Sequence, residues 1–164
     1  MATLGVKRIE LVNGDEYQYG SVYEYPEAAA QTFKKKDFVN TASGQVKLAV
    51  DTESGNFGLA LEDASGTTDA LVEILLINSS MIFSGTLSAA GAATATVQAT
   101  HVGLQCSWIK STVTGETTKT VVDASDTTTP SLEIILLDPR DPVGDTNGRV
   151  YFRVLPAFLI ARGV

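Results

Sequence analysis

The chain has 164 residues, 44% of them hydrophobic, and carries 19 acidic against 12 basic side chains, a formal charge of −7. That is enough for one folded domain or two very small ones, and the acidic balance makes nucleic acid and anionic membranes poor partners. The single cysteine, Cys106, excludes an internal disulfide, and no apolar run approaches the length of a membrane span. The first residues lack the positive-then-apolar pattern of a signal peptide, so synthesis in a host cytoplasm is expected.

The chain opens with "GVKRIELVNGDEYQYG", a short strand candidate running into the turn Asn13 to Glu16. Tyr17, Tyr19, Tyr23 and Tyr25 follow within nine residues. A spacing of two puts neighbouring tyrosines on one face of an extended segment, and Pro26 biases Tyr25 toward that conformation. Either this is an edge strand packed on its own domain, or it is an arm whose tyrosines dock on another subunit, as amphipathic rings commonly do. "PEAAAQTFKKK" offers about two turns of helix with Pro26 at its start. Lys34, Lys35 and Lys36 form a weak basic patch or the charged guard of an edge strand.

"DFVNTASGQVKLAV" reads as strand, turn, strand, with Val46, Leu48 and Val50 alternating inward. "FGLALED" alternates through Phe57, Leu59 and Leu61. The strand after it carries Val72, Ile74 and Leu76, and its "LLI" run suggests burial on both faces or a bulge. Residues 81–100 are rich in alanine, but the glycines, the threonines and the lack of charge favour a strand or extended linker over a helix. The second half continues with "HVGLQCSWIK", "TKTVVD", "SLEIILLD", a loop dense in turn residues from Pro139 to Gly148, and the amphipathic strand "RVYFRV". The apolar end, "AFLIARGV", is either a last core strand or a surface for a partner.

Roughly nine or ten short strands separated by turn residues indicate an all-β fold, short antiparallel strands forming a compact barrel or sandwich. The expected organisation is an extended N-terminal arm over 1–35, a first β unit over 36–80, a linker or connecting strand over 81–98, and a second β unit over 99–164, packed as one body. An internal echo suggests one β unit used twice, either inside one barrel or in two related halves. "DASGTTDALVEILL" (63–76) and "DASDTTTPSLEIIL" (123–136) match at eight of fourteen positions, at an offset of 60. Asp and Ser shape the bend and the Ile/Leu run feeds the core.

Candidates for chemistry are few. His101, beside Val102 and Leu104, reads as a core-edge strand residue, and Cys106 as a small buried hydrophobe; a Cys/His/Asp site would need tertiary contacts that spacing does not show. Zinc would need more than these two ligands. Asp138, Asp141, Asp145 and Asn147 are the best cation candidates, but their spacing departs from the calcium-loop pattern and two prolines stiffen the loop, so plain turn structure is expected. There is no phosphate-binding glycine loop. No catalytic residue, cofactor or metal is expected, and the chain is expected not to be an enzyme.

Two stretches resemble the small β-rich capsid decoration, or cement, proteins of tailed bacteriophages. The first is "ASGQVKLAVDTESGNFGLALEDASGTTDALVEILL", through Gly58, Ala60, Leu61, Asp63 and Ala64 and then Val72, Glu73 and Ile74. The second is "HVGLQCSW" with "VVDASDTTTPSLEIILLDPRDPVGDTNGRVYFRV". They cover residues 38 to 155 apart from 80 to 98, with fold-like rather than chemical motifs. The chain departs from the family in size, since the smallest members hold one barrel unit.

The resemblance implies a protein on the outer capsid surface of the virion that binds the major capsid protein as a dimer or trimer and bridges neighbouring capsomers. Tyr17, Tyr19, Tyr23, Tyr25, Phe33, Phe158, Leu159 and Ile160 are the expected interface. Another virion component, of the tail or head–tail junction, and a carbohydrate- or receptor-binding module are the alternatives.

Overall fold

The computed structural model describes residues 9–11, 22–42, 44–50, 57–146 and 148–159. The chain is all-β. In order its strands are β1 (Ile9–Leu11), β2 (Val22–Pro26), β3 (Phe38–Ala42), β4 (Gln45–Leu48), β5 (Phe57–Ala60), β6 (Leu71–Leu76), β7 (Met81–Ala89), β8 (Ala92–Ala93), β9 (Gln105–Lys110), β10 (Thr120–Asp123), β11 (Leu132–Leu137) and β12 (Arg149–Val154). A four-residue helix, α1 (Gln98–His101), precedes β9, and a 3-10 turn (Pro156–Phe158) follows β12.

The strands form two sheets. In the larger, β7, β10, β9, β11 and β12 pair in that order and β12 pairs back to β7, which closes a small barrel. Every contact round the ring is antiparallel except β7 with β10, where Leu87 faces Val122 in parallel register. β1 and β8 extend the two ends of β7. The smaller sheet has the order β2-β6-β5-β3-β4. It curls until its edges meet at one parallel bridge, Glu27 with Val46, where the Ala28 N–H donates to the Val46 carbonyl at 2.9 Å.

Period-2 alternation sorts the side chains. Val150, Phe152 and Val154 point into the barrel and are at most 1% exposed, as the sequence pattern predicts. β7 carries Gly85 where Phe152 crosses the interior. A Cβ on Gly85 would sit 3.0 Å from the Phe152 ring and 3.4 Å from Val122, so the barrel admits the large ring only opposite a residue without a side chain. The centre of the smaller sheet, β3 and β5, is buried on both faces. Val39, Val46, Ala60, Val72 and Ile74 surround its own core, with Phe33 fully buried among them. Phe38, Phe57, Leu59 and Leu75 point the other way and join the barrel core.

Several expectations change. Residues 27–37 are not helical. Ala30 (φ 55°) and Lys36 (φ 76°) are left-handed, and Glu27 and Phe33 are fully buried; tertiary burial overrides alanine's helix propensity here. Of the expected N-terminal arm, residues 22–26 are strand β2, paired along its length with β6, and 9–11 are strand β1, paired with β7. Of residues 81–98, where a linker or connecting strand was expected over a helix, 81–89 are strand β7, which pairs with β12, β10, β1 and β8. His101 lies in α1 rather than on a strand, though it is buried as expected. Val50 is 49% exposed rather than inward.

The sequence echo does not mark equivalent places. Its first copy joins β5 to β6, and its second joins β10 to β11. The two loops bend differently. Asp63 accepts from the Lys35 N–H at 2.8 Å, and Ser65 and Gly66 donate their backbone N–H groups to the buried Glu27 carboxylate. Asp123 instead accepts from the Ser125 N–H and O–H and the Ala90 N–H.

Candidate interaction site

The two sheets meet at one end of the barrel, and the smaller one closes it. Phe38 enters that end with its ring 4.7 Å from Trp108, 6.2 Å from Phe83 and 6.4 Å from Phe152, while Phe57 lies 5.7 Å from Trp108, edge-on. These tilted and edge-to-face contacts are the favoured aromatic geometries. A polar clamp flanks them. Asp37, 3% exposed, accepts from the Lys110 ammonium, from the Thr120 hydroxyl at 2.8 Å and from the Lys34 N–H at 2.8 Å. Asp37 belongs to the small sheet's lead-in to β3, whereas Lys110 and Thr120 end β9 and begin β10. Alternation alone identifies Phe38 as apolar but not which core it enters, so neither the cap nor the clamp is visible in the sequence.

The expected interface residues separate. Tyr23 and Tyr25 lie on β2 with rings 6.4 Å apart in a T-shaped pair. Tyr25 is half-buried against the small core, and Tyr23 is 41% exposed. Phe33 is 0% exposed, inside the small core. It is therefore closed to a partner, and that expectation is corrected: the ring fills the curl of the sheet. Leu159 packs against the main core. Phe158 falls in the 3-10 turn, and its side chain, like Tyr17, Tyr19 and Ile160, lies outside the described residues. Leu71, at the start of β6, is 63% exposed and was not singled out in the sequence.

The titratable residues serve structure. Asp138 accepts from the Arg140 guanidinium at 2.5 and 2.8 Å and from its backbone N–H at 3.0 Å; the Arg140 hydrogen bonds hold its carboxyl below the usual range. Arg149 donates to Asp141 at 2.5 and 2.7 Å, which depresses the Asp141 carboxyl and raises the guanidinium. These ion pairs lock the loop as a turn. Among the described residues no group of three or more acids, histidines and cysteines is placed to hold a metal.

Asp63 is likewise held below its usual range, by the Lys35 N–H first and then by the Lys34 side chain. Lys34 pairs with Asp63 at 3.0 Å while half of its side chain stays exposed. Burial, aided by Asp123 and Asp126, pushes the Cys106 thiol up to about 12, which leaves it protonated and unreactive at neutral pH. The Nδ1 of His101 accepts the Val97 N–H at 2.9 Å, closing the turn of α1. A crevice beside β7, lined mostly by apolar groups that include Leu87, Ala92, Val113 and Val121, amounts to about 10 Å³, too small for a ligand larger than water.

Tyr23 on β2 and Leu71 on β6 are exposed, and the β2–β6 register puts them on opposite faces of the small sheet. No family model, no curated protein and no solved structure matches the chain. No helix among the described residues is long and apolar enough to cross a membrane.

Proposed function

We propose that the chain is a structural assembly protein of the capsid-decoration kind, binding the major capsid protein on the outer surface of a bacteriophage virion and bridging neighbouring capsomers without catalysis. The observation that carries this reading is the exposed Tyr23 on β2. It sits on a strand held by a five-residue antiparallel ladder, and a ring on a rigid element loses little entropy on docking. The net charge of −7 suits an outward-facing surface that must not bind packaged DNA. The test is to mix the full chain with expanded, undecorated capsids and measure bound copies per particle. Saturation at a copy number matching local two-fold or three-fold positions supports the reading and gives the oligomeric state. No binding to such capsids overturns it.

The body of this protein is, on the same reading, two related five-stranded units. Numbering strands within each unit, β2 to β6 and β7, β9, β10, β11, β12 share one circular order, 1-5-4-2-3, with strands 1 and 3 parallel where the ends meet. The registers also agree. If Tyr23 is matched to Phe83, the ladders successively match Ile74 to Phe152, Ala60 to Ile134, Val39 to Cys106 and Val46 to Val122. The parallel closures then agree independently, Glu27 with Val46 and Leu87 with Val122. Strand order alone recurs readily among small barrels, but a register that closes at the same residue after five strands constrains the stagger of the whole ring.

A further inference from the structure

We infer that His101 is an acid-sensitive latch on the segment that docks the turn at residues 142–146. His101 is the single histidine of the chain and is 8% exposed at the end of α1. It closes a reciprocal pair with Val97. The His101 N–H donates to the Val97 carbonyl at 2.9 Å, and the Val97 N–H donates to the imidazole Nδ1 at 2.9 Å. A ring that accepts at Nδ1 is neutral and carries its proton on Nε2. Nε2 is not among the buried polar atoms that lack a partner, and no protein group bonds it, so it faces water. The next proton must therefore go to Nδ1, the nitrogen that holds Val97.

The consequence reaches the turn through Thr96, which is 2% exposed. The Gly144 N–H donates to the Thr96 carbonyl at 2.8 Å and to its Oγ1 at 3.3 Å. The Thr96 N–H donates to the Asp145 carbonyl at 3.3 Å. Protonation sets two donors, Nδ1–H and the Val97 N–H, face to face, and a buried donor left unmatched costs more than the bond it loses. The simplest relief is for Val97 and Thr96 to move off α1, which loosens the turn. The charged side chains on β11 and the turn, which pack against α1 and its cap, are Glu133, paired with Arg153 at 2.6 Å, and Asp145. Both favour an imidazolium, and neither replaces Nδ1 as the acceptor for Val97. Acid therefore opens the latch and neutral pH shuts it. The Asp141–Arg149 pair fixes the neighbouring loop at 2.5 Å, so the opening is local.

The test is amide hydrogen exchange followed by NMR on the full-length chain. It is run at about pH 7.5 and about pH 5, either side of the ordinary imidazole range, with each rate divided by its intrinsic value at that pH. Ring resonances report tautomer and protonation in the same samples. The Nε2–H tautomer is expected at the higher pH. Protection of the Val97 and Gly144 amides should fall about fivefold at the lower pH, the worth of one hydrogen bond, while the Phe152 amide in the barrel keeps its protection. His101→Asn places an amide oxygen where Nδ1 stands and should hold both amides equally at the two pH values. An Nδ1–H ring at the higher pH, a ring that stays neutral at the lower one, or protection that persists while the ring protonates overturns the proposal. So does an Asn variant whose protection still falls with acid. If that variant does not fold, the wild-type exchange and ring data decide by themselves.

Discussion

Replacing Phe38 with Ala tests whether the small sheet caps the barrel. Phe38 is 2% exposed and meets three rings of the barrel core. A buried phenylalanine removes on the order of 150–200 Å² from water, which at ~25 cal/mol per Å² is about 4–5 kcal/mol. Measured Phe→Ala costs in cores run about 3–5 kcal/mol, because the cavity only partly collapses. With a urea slope of about 2 kcal/mol per molar, the unfolding midpoint should fall by roughly 1.5–2.5 M. The assay is urea unfolding followed by fluorescence. Trp108 is the single tryptophan, and its ring lies 4.7 Å from Phe38 and is 7% exposed. Native emission should therefore shift to the red in Phe38→Ala as water reaches the indole, and Phe38→Leu should recover most of both effects. A loss under about 1 kcal/mol with unchanged Trp108 emission would refute the capped barrel.

The clamp beside it should respond asymmetrically. Lys110→Met leaves Asp37, 3% exposed, as a buried carboxylate without its cation, costing about 3–5 kcal/mol. Asp37→Ala frees a Lys110 side chain already 38% exposed to turn to water and strands mainly the Thr120 and Lys34 donors, costing about 1–3 kcal/mol; equal losses in urea unfolding would contradict the clamp. The Asp141–Arg149 pair predicts a pH dependence. Because the folded Asp141 carboxyl is depressed, its stabilisation is fully present above the unfolded value of about 3.9 and is lost as pH falls through the lower folded value. The stability gap between wild type and Arg149→Met should be constant from pH 7 to 5 and shrink below about pH 4; a gap that closes near pH 6 would show that another interaction supplies it.

Strand content was legible because a half-buried strand writes its faces into every second residue. Val150, Phe152 and Val154 could be assigned inward from the sequence, whereas "LLI" left burial on both faces and a bulge both open. The all-β class follows from many such runs between turn residues. The candidate site was legible only in part. A tyrosine spacing of two shows that Tyr23 and Tyr25 share a face. It does not show that Tyr25 leans on a core while Tyr23 stays at a rim, because that depends on β6, whose paired residues lie about fifty positions further along the chain.

Three features were decided by the tertiary structure alone. Phe33 looked like a free aromatic and is a core plug, since burial depends on what a curled sheet encloses. Residues 27–37 have the composition of a helix, but the buried Glu27 and Phe33 hold them in turns. The most conspicuous repeat in the sequence, "DAS" with its Ile/Leu strand, joins different strands in its two copies. The registers that match between the sheets pair residues as unlike as Thr41 with Trp108 and Glu27 with Leu87. A barrel's closure depends on backbone hydrogen bonds and stagger, which many side chains satisfy. By itself the amino-acid order determined where strands form and which residues alternate inward. Which strands meet was settled by the long-range backbone pairing that closes the barrel and curls the smaller sheet.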